Sequence, residues 1–356
     1  MPRQIPQQDD PVQPATGDRA QETARERLLS AGSAALRWLL YILATLWATG
    51  AIYVDGPFRM TQGNGWLALV WLMVAAACLL LIRRRWTRRL AWLVCFLIVL
   101  IPWLGITASN DRDWQPRWAK TAWVEIDGSK LTFHNLRNFD WAPDGAVSRR
   151  WESRTVDFAN LRGMDYLQSN FGGEYIAHGL LSFDFGPDGR IALSVETRRE
   201  SHESFSEIGG LYKMFELAYV WGDERDLVRL RTNIEQEPVR LYRTSLGPTE
   251  TLFVLLDAVR ETNWLSKHPR FYNLFTANCT TSLHAQTLEF RNTPLDYRML
   301  ANGKLDELIY ERGGFRTDGL DFAELRRRAS ANDAALAAQD AADFSDRIRA
   351  GRPGFE

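Results

Sequence analysis

Residues 176–198 read IAHGLLSFDFGPDGRIALSVETR. Two alternating runs, Ile176–Phe185 and Ile191–Arg198, flank Pro187-Asp188-Gly189, and that punctuation predicts a β-hairpin. Pairing Phe185 with Ile191 assigns the faces, because side chains along a strand alternate with a period of two. One face carries Leu181, Phe183, Phe185, Leu193 and Val195 and is a core face. The other carries His178, Leu180, Ser182, Ser194, Glu196 and Arg198, with Glu196 diagonal to His178 and within its reach. A polar sheet face is by default a wet one; it becomes a site only if something reactive stands opposite.

Outward from this hairpin, Ala122–Ile126 and Lys130–His134 flank Asp127-Gly128 as a second hairpin, and Val239–Ser245 reads as a further strand. Helical spacing marks Val156–Tyr166, Leu211–Leu217, Thr249–Thr262 and a stretch beginning near Cys279. The predicted class is α+β, a small antiparallel sheet with helices beside it. No internal repeat of 20–50 residues is visible.

The N-terminal third is different. Leu36–Val54, Trp66–Ile82 and Leu90–Thr107 are apolar, interrupted only by Arg37, and each is about the ~20 residues that span a bilayer, with Trp near several ends. Three buried helices of a soluble protein would need a polar stripe with a period of 3.6, and these have none. Arg83, Arg84, Arg85, Arg88 and Arg89 crowd the connection between the second and third stretches, which belongs on the cytoplasmic side under the positive-inside rule. The loop Asp55–Gly65 has one Arg and one Asp and is free to cross. Arg25, Arg27 and Arg37 keep the N-terminus inside. Three crossings place everything after about Ala108 outside: a multi-pass protein of a bacterial inner membrane with a periplasmic C-terminal domain. The expected organisation is a disordered cytoplasmic tail (1–30) running into a short polar helix, a three-helix transmembrane region (31–107), a periplasmic catalytic domain (108–312), and a helical or mobile C-terminal tail (313–356).

The 356 residues carry a net charge of −1, 46% apolar residues, 14 Trp and 3 Cys. A wholly disordered chain and a disulfide-dense scaffold are excluded. Residues 1–107 hold 11 Lys+Arg against 6 Asp+Glu, the remainder 32 against 38. Neither part has the positive balance that nucleic-acid binding demands.

Cys78 and Cys95 lie within the apolar stretches and read as space-filling residues. Cys279 is then the only thiol on the outer side, either buried and inert or kept for chemistry. Small polar residues surround it in Ala277-Asn278-Cys279-Thr280-Thr281-Ser282, just before the helix-compatible Leu283–Phe290. A thiol in the first turn of a helix is biased toward the thiolate. A thiolate also needs a base. His284 falls roughly 140° round the same helix from Cys279. His268 precedes Pro269, His134 ends an early strand, and His202 sits among Glu200, Ser201 and Glu203 as a solvated turn. His178, on a strand with Glu196 placed to hold its tautomer, completes a Cys279–His178–Glu196 triad. A plain salt bridge from Glu196 to Arg198 or another arginine is nearly as good a reading. Asp223, Arg225, Asp226 and Arg231 fit a structural ion-pair network better than a substrate contact. His and Cys never occur at metal-ligand spacing, so no metal and no cofactor is expected.

The ordered strings His178-Gly179-Leu180-Leu181-Ser182-Phe183, Ser194-Val195-Glu196-Thr197-Arg198, Asp223-Glu224-Arg225-Asp226 with Arg231-Thr232-Asn233, and Tyr272-Asn273 with Asn278-Cys279-Thr280-Thr281 resemble the Lnb N-terminal periplasmic domain family. Arg137-Asn138-Phe139-Asp140 fits its opening motif, and the likeness covers about residues 120–300. The resemblance implies a papain-like, NlpC-type thiol domain in circularly permuted order, with Cys279 and His178 as the catalytic pair and lipoprotein N-acylation as the activity. The order of parts departs from the family's acyltransferase, in which the periplasmic domain precedes the membrane region. The chemistry therefore transfers better than the substrate.

Residues and resemblance converge on acyl transfer through a thioester acyl-enzyme. The oxyanion would be held by the Cys279 backbone N–H with Asn278 or Tyr272, the donor would be a phospholipid, and the acceptor a lipoprotein or other amine. Two rivals stand beside this: a thiol amidase or peptidase acting on peptidoglycan or envelope proteins, and a non-catalytic envelope scaffold.

Overall fold

The computed structural model describes residues 16–58, 62–142, 144–171, 173–274, 296–299 and 302–355. The chain divides after Gly105 into two compact units.

The first unit holds helices α1 (Thr16–Asp55), α2 (Gln62–Leu81) and α3 (Arg85–Gly105). Leu29–Asp55, Gln62–Leu81 and Arg85–Gly105 are each long and apolar enough to cross a membrane. At 1.5 Å per residue, twenty residues reach about 30 Å, the thickness of a hydrocarbon core. The stretch read as a tail is helical from Thr16 and continuous with the first span. Leu39, Leu43, Val70, Val74, Ile98 and Ile101 face outward, whereas Ala51, Val54, Ala75, Leu79 and Trp92 are buried inside. The polar groups find partners there: the Trp92 indole donates to Thr45 Oγ1 at 3.1 Å, and the Trp103 indole to the Asp55 carboxylate at 2.6 Å. Apolar side chains outside and satisfied polar ones inside suit a lipid solvent.

The second unit is α+β. Its strands are β1 (Trp123–Asp127), β2 (Lys130–Arg137), β3 (Asp140–Trp141), β4 (Val147–Ser148), β5 (Trp151–Asp157), β6 (Gly163–Asn170), β7 (Ala177–Asp184), β8 (Arg190–Arg198), β9 (Glu216–Asp223) and β10 (Val239–Arg243). Eight of them form one sheet in the order β1-β2-β9-β8-β7-β6-β10, with β5 on β2; β3 and β4 pair separately. The sheet is larger than the sequence suggests, because two segments with helical spacing are extended. Val156–Tyr166 is divided between β5 and β6, and Leu211–Leu217 runs into β9. All eight residues of β6 are buried, and a strand covered on both faces loses the alternation that would announce it. Thr249–Thr262 does lie in a helix, α5 (Pro248–Lys267), preceded by α4 (Glu224–Arg229).

The β7–β8 hairpin forms with a different register. Phe183, not Phe185, pairs with Ile191, and Asp184 with Arg190. The connection is five residues long because Phe185 N donates to Gly189 O (2.9 Å) around a 3-10 turn, with Gly189 at φ +86°. That φ suits glycine, which has no Cβ to clash. A slip of two preserves the faces; the ladder ends at Leu180 with Ser194, and beyond it Glu196 Oε1 comes within 3.4 Å of His178 Nε2.

The face carrying Leu181, Phe183 and Leu193 is core. Phe183 and Phe133 pack on Trp221 (centroids 5.7 and 4.8 Å), whose indole donates to Thr262 of α5 at 2.8 Å. The opposite face is not wet. Leu167, Leu180, Ala192, Val239 and Leu241 are covered by Ala331, Ala335, Ala338, Phe344 and Ile348. These belong to the segment expected to be an exposed or mobile tail. After α6 (Leu305–Glu311) it forms α7 (Phe322–Arg328), α8 (Asn332–Ala338) and α9 (Phe344–Arg347), docked as a layer of the domain. Its Ala-rich composition reflects close packing: a methyl group lets a helix approach the sheet. Polar residues beneath are paired too, Ser182 to Glu224 and Glu224 to Arg349, with Arg349 also reaching Asp165.

Candidate functional site

Strand β7 presents His178 and β8 presents Ser194 and Glu196 on one side of the sheet, and His178 and Glu196 line a cavity of about 510 Å³ there. His178 and Glu196 are 7% and 8% exposed, and Ser194 is fully buried. His178 Nε2 stands 2.6 Å from Ser194 Oγ, and the Ser194 hydroxyl donates to Glu196 Oε1 at 2.6 Å. Glu196 Oε1 is also 3.4 Å from Nε2. The hydroxyl proton being committed to the carboxylate, Oγ accepts from the ring, so Nε2 carries hydrogen and Nδ1 carries the lone pair. This is an assignment from the hydrogen-bond network, and it makes Nδ1 the basic nitrogen.

Glu196 is held in turn by Arg231, which donates to Oε1 at 2.9 Å. Burial alone pushes the Glu196 carboxyl up, but Arg231, His178 and Ser194 together outweigh it and hold the group well below the usual carboxylate range. Arg231 lies beyond α4, in a wide turn at Leu230–Ile234, and also pairs with Glu235 (2.8 Å) and, at 3.7 Å, Glu237. Ser169 on β6 donates to Glu237 at 2.5 Å and ties this edge to the sheet.

Of the described histidines, His178 alone lines the cavity. His134 stacks on Trp123 at 3.8 Å, His202 lies 3.8 Å from Glu200, and His268 ends α5 against Trp264. Tyr272 lines the same cavity, its backbone N–H bonded to Phe215 O at 2.9 Å. Cys279, Asn278, His284 and the helix expected at Leu283–Phe290 lie outside the described residues. Among the described residues no three His, Cys, Asp or Glu side chains converge as a metal site.

The charged cluster of the third motif splits by role. Asp226, fully buried, accepts from Arg137 Nε and Nη2 (2.8 and 3.1 Å), Phe139 N (2.9 Å) and Trp141 Nε1 (2.8 Å), which is a structural clamp. Asp223 caps α4 and pairs with Arg154 at 2.8 Å. Arg231 departs from its neighbours and belongs to the cavity. Strand alternation places Ser194 on the correct face but gives it no role. Its one signal is its position, a single side-chain repeat before Glu196. Nothing local marks Arg231, because 35 residues separate it from Glu196.

The rest of the cavity is two-sided. Phe171, Tyr175, Ile176, Phe205 and Leu274 supply apolar wall; Arg117, Arg199, Glu207 and Glu235 supply charge. Residues 148–303 match the model of the Lnb N-terminal periplasmic domain family, the family that the ordered motifs resemble. The His178–Ser194–Glu196–Arg231 chain falls inside that match. No curated protein and no solved structure matches the chain. Beside this Lnb-like region the chain carries three helices long and apolar enough to cross a membrane.

Proposed function

We propose that the protein is a cysteine-dependent acyltransferase anchored in the bacterial inner membrane, with its N-terminus cytoplasmic and its Lnb-like domain periplasmic. The observation that carries this reading is the buried His178–Ser194–Glu196–Arg231 chain on a cavity with an apolar wall. A histidine of fixed tautomer with a buried anion behind it is the equipment of a general base that must become a cation during the reaction. In the proposed cycle the Cys279 thiol gives its proton to His178 Nδ1, and the thiolate attacks the ester carbonyl of a phospholipid. The tetrahedral intermediate expels the lyso-lipid oxygen, which takes its proton from the His178 imidazolium and leaves a thioester. An amine, such as that of a lipoprotein, then attacks the thioester and gives its proton to Nδ1, and the thiolate departs. The Cys279 backbone N–H, with Asn278 or Tyr272, fits the oxyanion role. Tethering supports the assignment, since donor and acceptor would share the plane of the membrane.

Mass spectrometry of purified Cys279→Ser protein incubated with phospholipid vesicles tests this. An oxygen ester at residue 279 traps the first half-reaction, and the added mass identifies the acyl group. Absence of any adduct, on the parent thiol or on the substituted hydroxyl, with every phospholipid tried, sinks the lipid-donor reading. Cleavage of amides in peptidoglycan fragments by the unmodified protein would instead establish the amidase. A phenotype that survives both Cys279→Ala and His178→Ala would leave the scaffold.

A further inference from the structure

Among the described residues, one cation of the cavity is unused. Arg117 is held by Glu235 at 2.6 Å and Arg231 by Glu196 and Glu235. Arg199, immediately after β8, lines the same cavity, and its Nε is buried with no hydrogen-bond partner among the described residues. Among the described residues no carboxylate lies within ion-pair distance of it. The carboxylates of Glu196 and Glu235 act on it from further away, and both are already engaged by other arginines. The guanidinium lies 4.4 Å over the buried Trp118 ring, which fixes its plane. A half-buried, oriented and unpaired fork of N–H donors carries a desolvation cost that an anion with two oxygens would relieve.

The cavity also has an exposed aromatic side. Phe171, Tyr175 and Phe205 are 44%, 57% and 44% exposed, and Phe171 meets Phe205 edge to face at 6.0 Å. Phe205 stacks in turn on the buried Phe215, so this wall is anchored in the core. An unpaired cation and an exposed apolar wall on one cavity ask for a ligand with both chemistries.

We infer that Arg199 is the anion-recognition residue of the cavity, seating the phosphodiester of an amphiphile whose hydrocarbon lies against Phe171, Tyr175 and Phe205. The inference rests on the proposed reading of the cavity as a lipid site and assigns the part of the donor that is read. Charge-assisted, two-pronged recognition of a phosphate is the task for which arginine outperforms lysine.

The test measures binding, without turnover, on full-length Cys279→Ala protein in uncharged detergent. The probes are dihexanoyl phosphatidylglycerol, the neutral dihexanoylglycerol, and inorganic phosphate. Arg199→Gln should weaken the phosphodiester probe about 10- to 100-fold, the worth of a charge-assisted pair, and leave the neutral probe within about twofold. Arg199→Lys should recover part of the loss. Equal losses for charged and neutral probes would show that Arg199 only supports the fold, and unchanged phosphodiester binding would remove its role; either result overturns the inference. So does inorganic phosphate binding as tightly as the amphiphile, which would mark a free-anion site. The two readings fail separately: headgroup selectivity that depends on Arg199, without any acyl adduct at residue 279, sinks the reaction and leaves the anion site standing.

Discussion

At the scale of single residues, the decisive atom is Ser194 Oγ. It accepts from His178 Nε2 and donates to Glu196, so it sets the direction of the chain and the nitrogen left for chemistry. Ser194→Ala keeps the volume nearly constant and removes the relay. Because Glu196 Oε1 already stands 3.4 Å from Nε2, the carboxylate retains a partial hold on the ring. Acyl-adduct formation at Cys279 should therefore slow about 10-fold in Ser194→Ala, against about 10²–10⁴-fold in His178→Ala, with Ser194→Thr near the parent rate. Single-turnover labelling measures all three, and a Ser194→Ala rate within about twofold of the parent would remove the relay from the mechanism. Arg231 acts one step further out. Arg231→Met leaves Glu196 buried without its cation, and such a loss costs about 3–5 kcal/mol.

At the scale of elements, the C-terminal helices are a wall of the domain. Arg349, just past α9, donates to Glu224 and Asp165 beneath the sheet. Burial opposes ionisation of Glu224, but Arg349 outweighs it and brings that carboxyl down to about 2. A depressed carboxylate contributes stability above its unfolded value of about 4.5, lost as pH falls toward the folded value. Arg349→Met should lower stability by about 3–5 kcal/mol at neutral pH. The gap to the parent should narrow steadily as pH is taken from about 5 toward 2. Thermal unfolding of both full-length proteins in detergent reads this directly. A gap independent of pH would mean that Arg349 acts through packing alone. The register of β7–β8 belongs to this scale as well. The turn keeps the five-residue length that pairing Phe185 with Ile191 implies but moves one residue back along the chain, to 185–189, and the resulting slip of two does not exchange the faces.

At the scale of the whole molecule, the question is which side of a membrane the cavity faces. Five arginines between Arg83 and Arg89 set the expectation. Alkaline phosphatase fused after residue 356 should be active, and the same reporter inserted after Arg85 inactive. The reverse pattern would place the cavity in the cytosol and remove the envelope substrates from consideration. Replacing the five arginines with glutamine should reduce the contrast, because the bias rests on their charge.

Much of this molecule is written locally. Three spans, their charge asymmetry, both hairpins, α5, and the alternation that puts His178 and Glu196 on one face follow from the order of residues, since each depends on neighbours a few positions apart. Tertiary structure decided the rest. Strand β6, buried on both faces, carries no alternation and is legible only within the sheet. A mixture of alanine with arginine and aspartate hid the docking of α8 and α9, whose buried side chains pack against β6, β7 and β10. Arg231 and Arg199 joined one cavity because folding closed the chain over them. Ion pairs and cavities are made by distance in space, and a sequence states only distance along the chain.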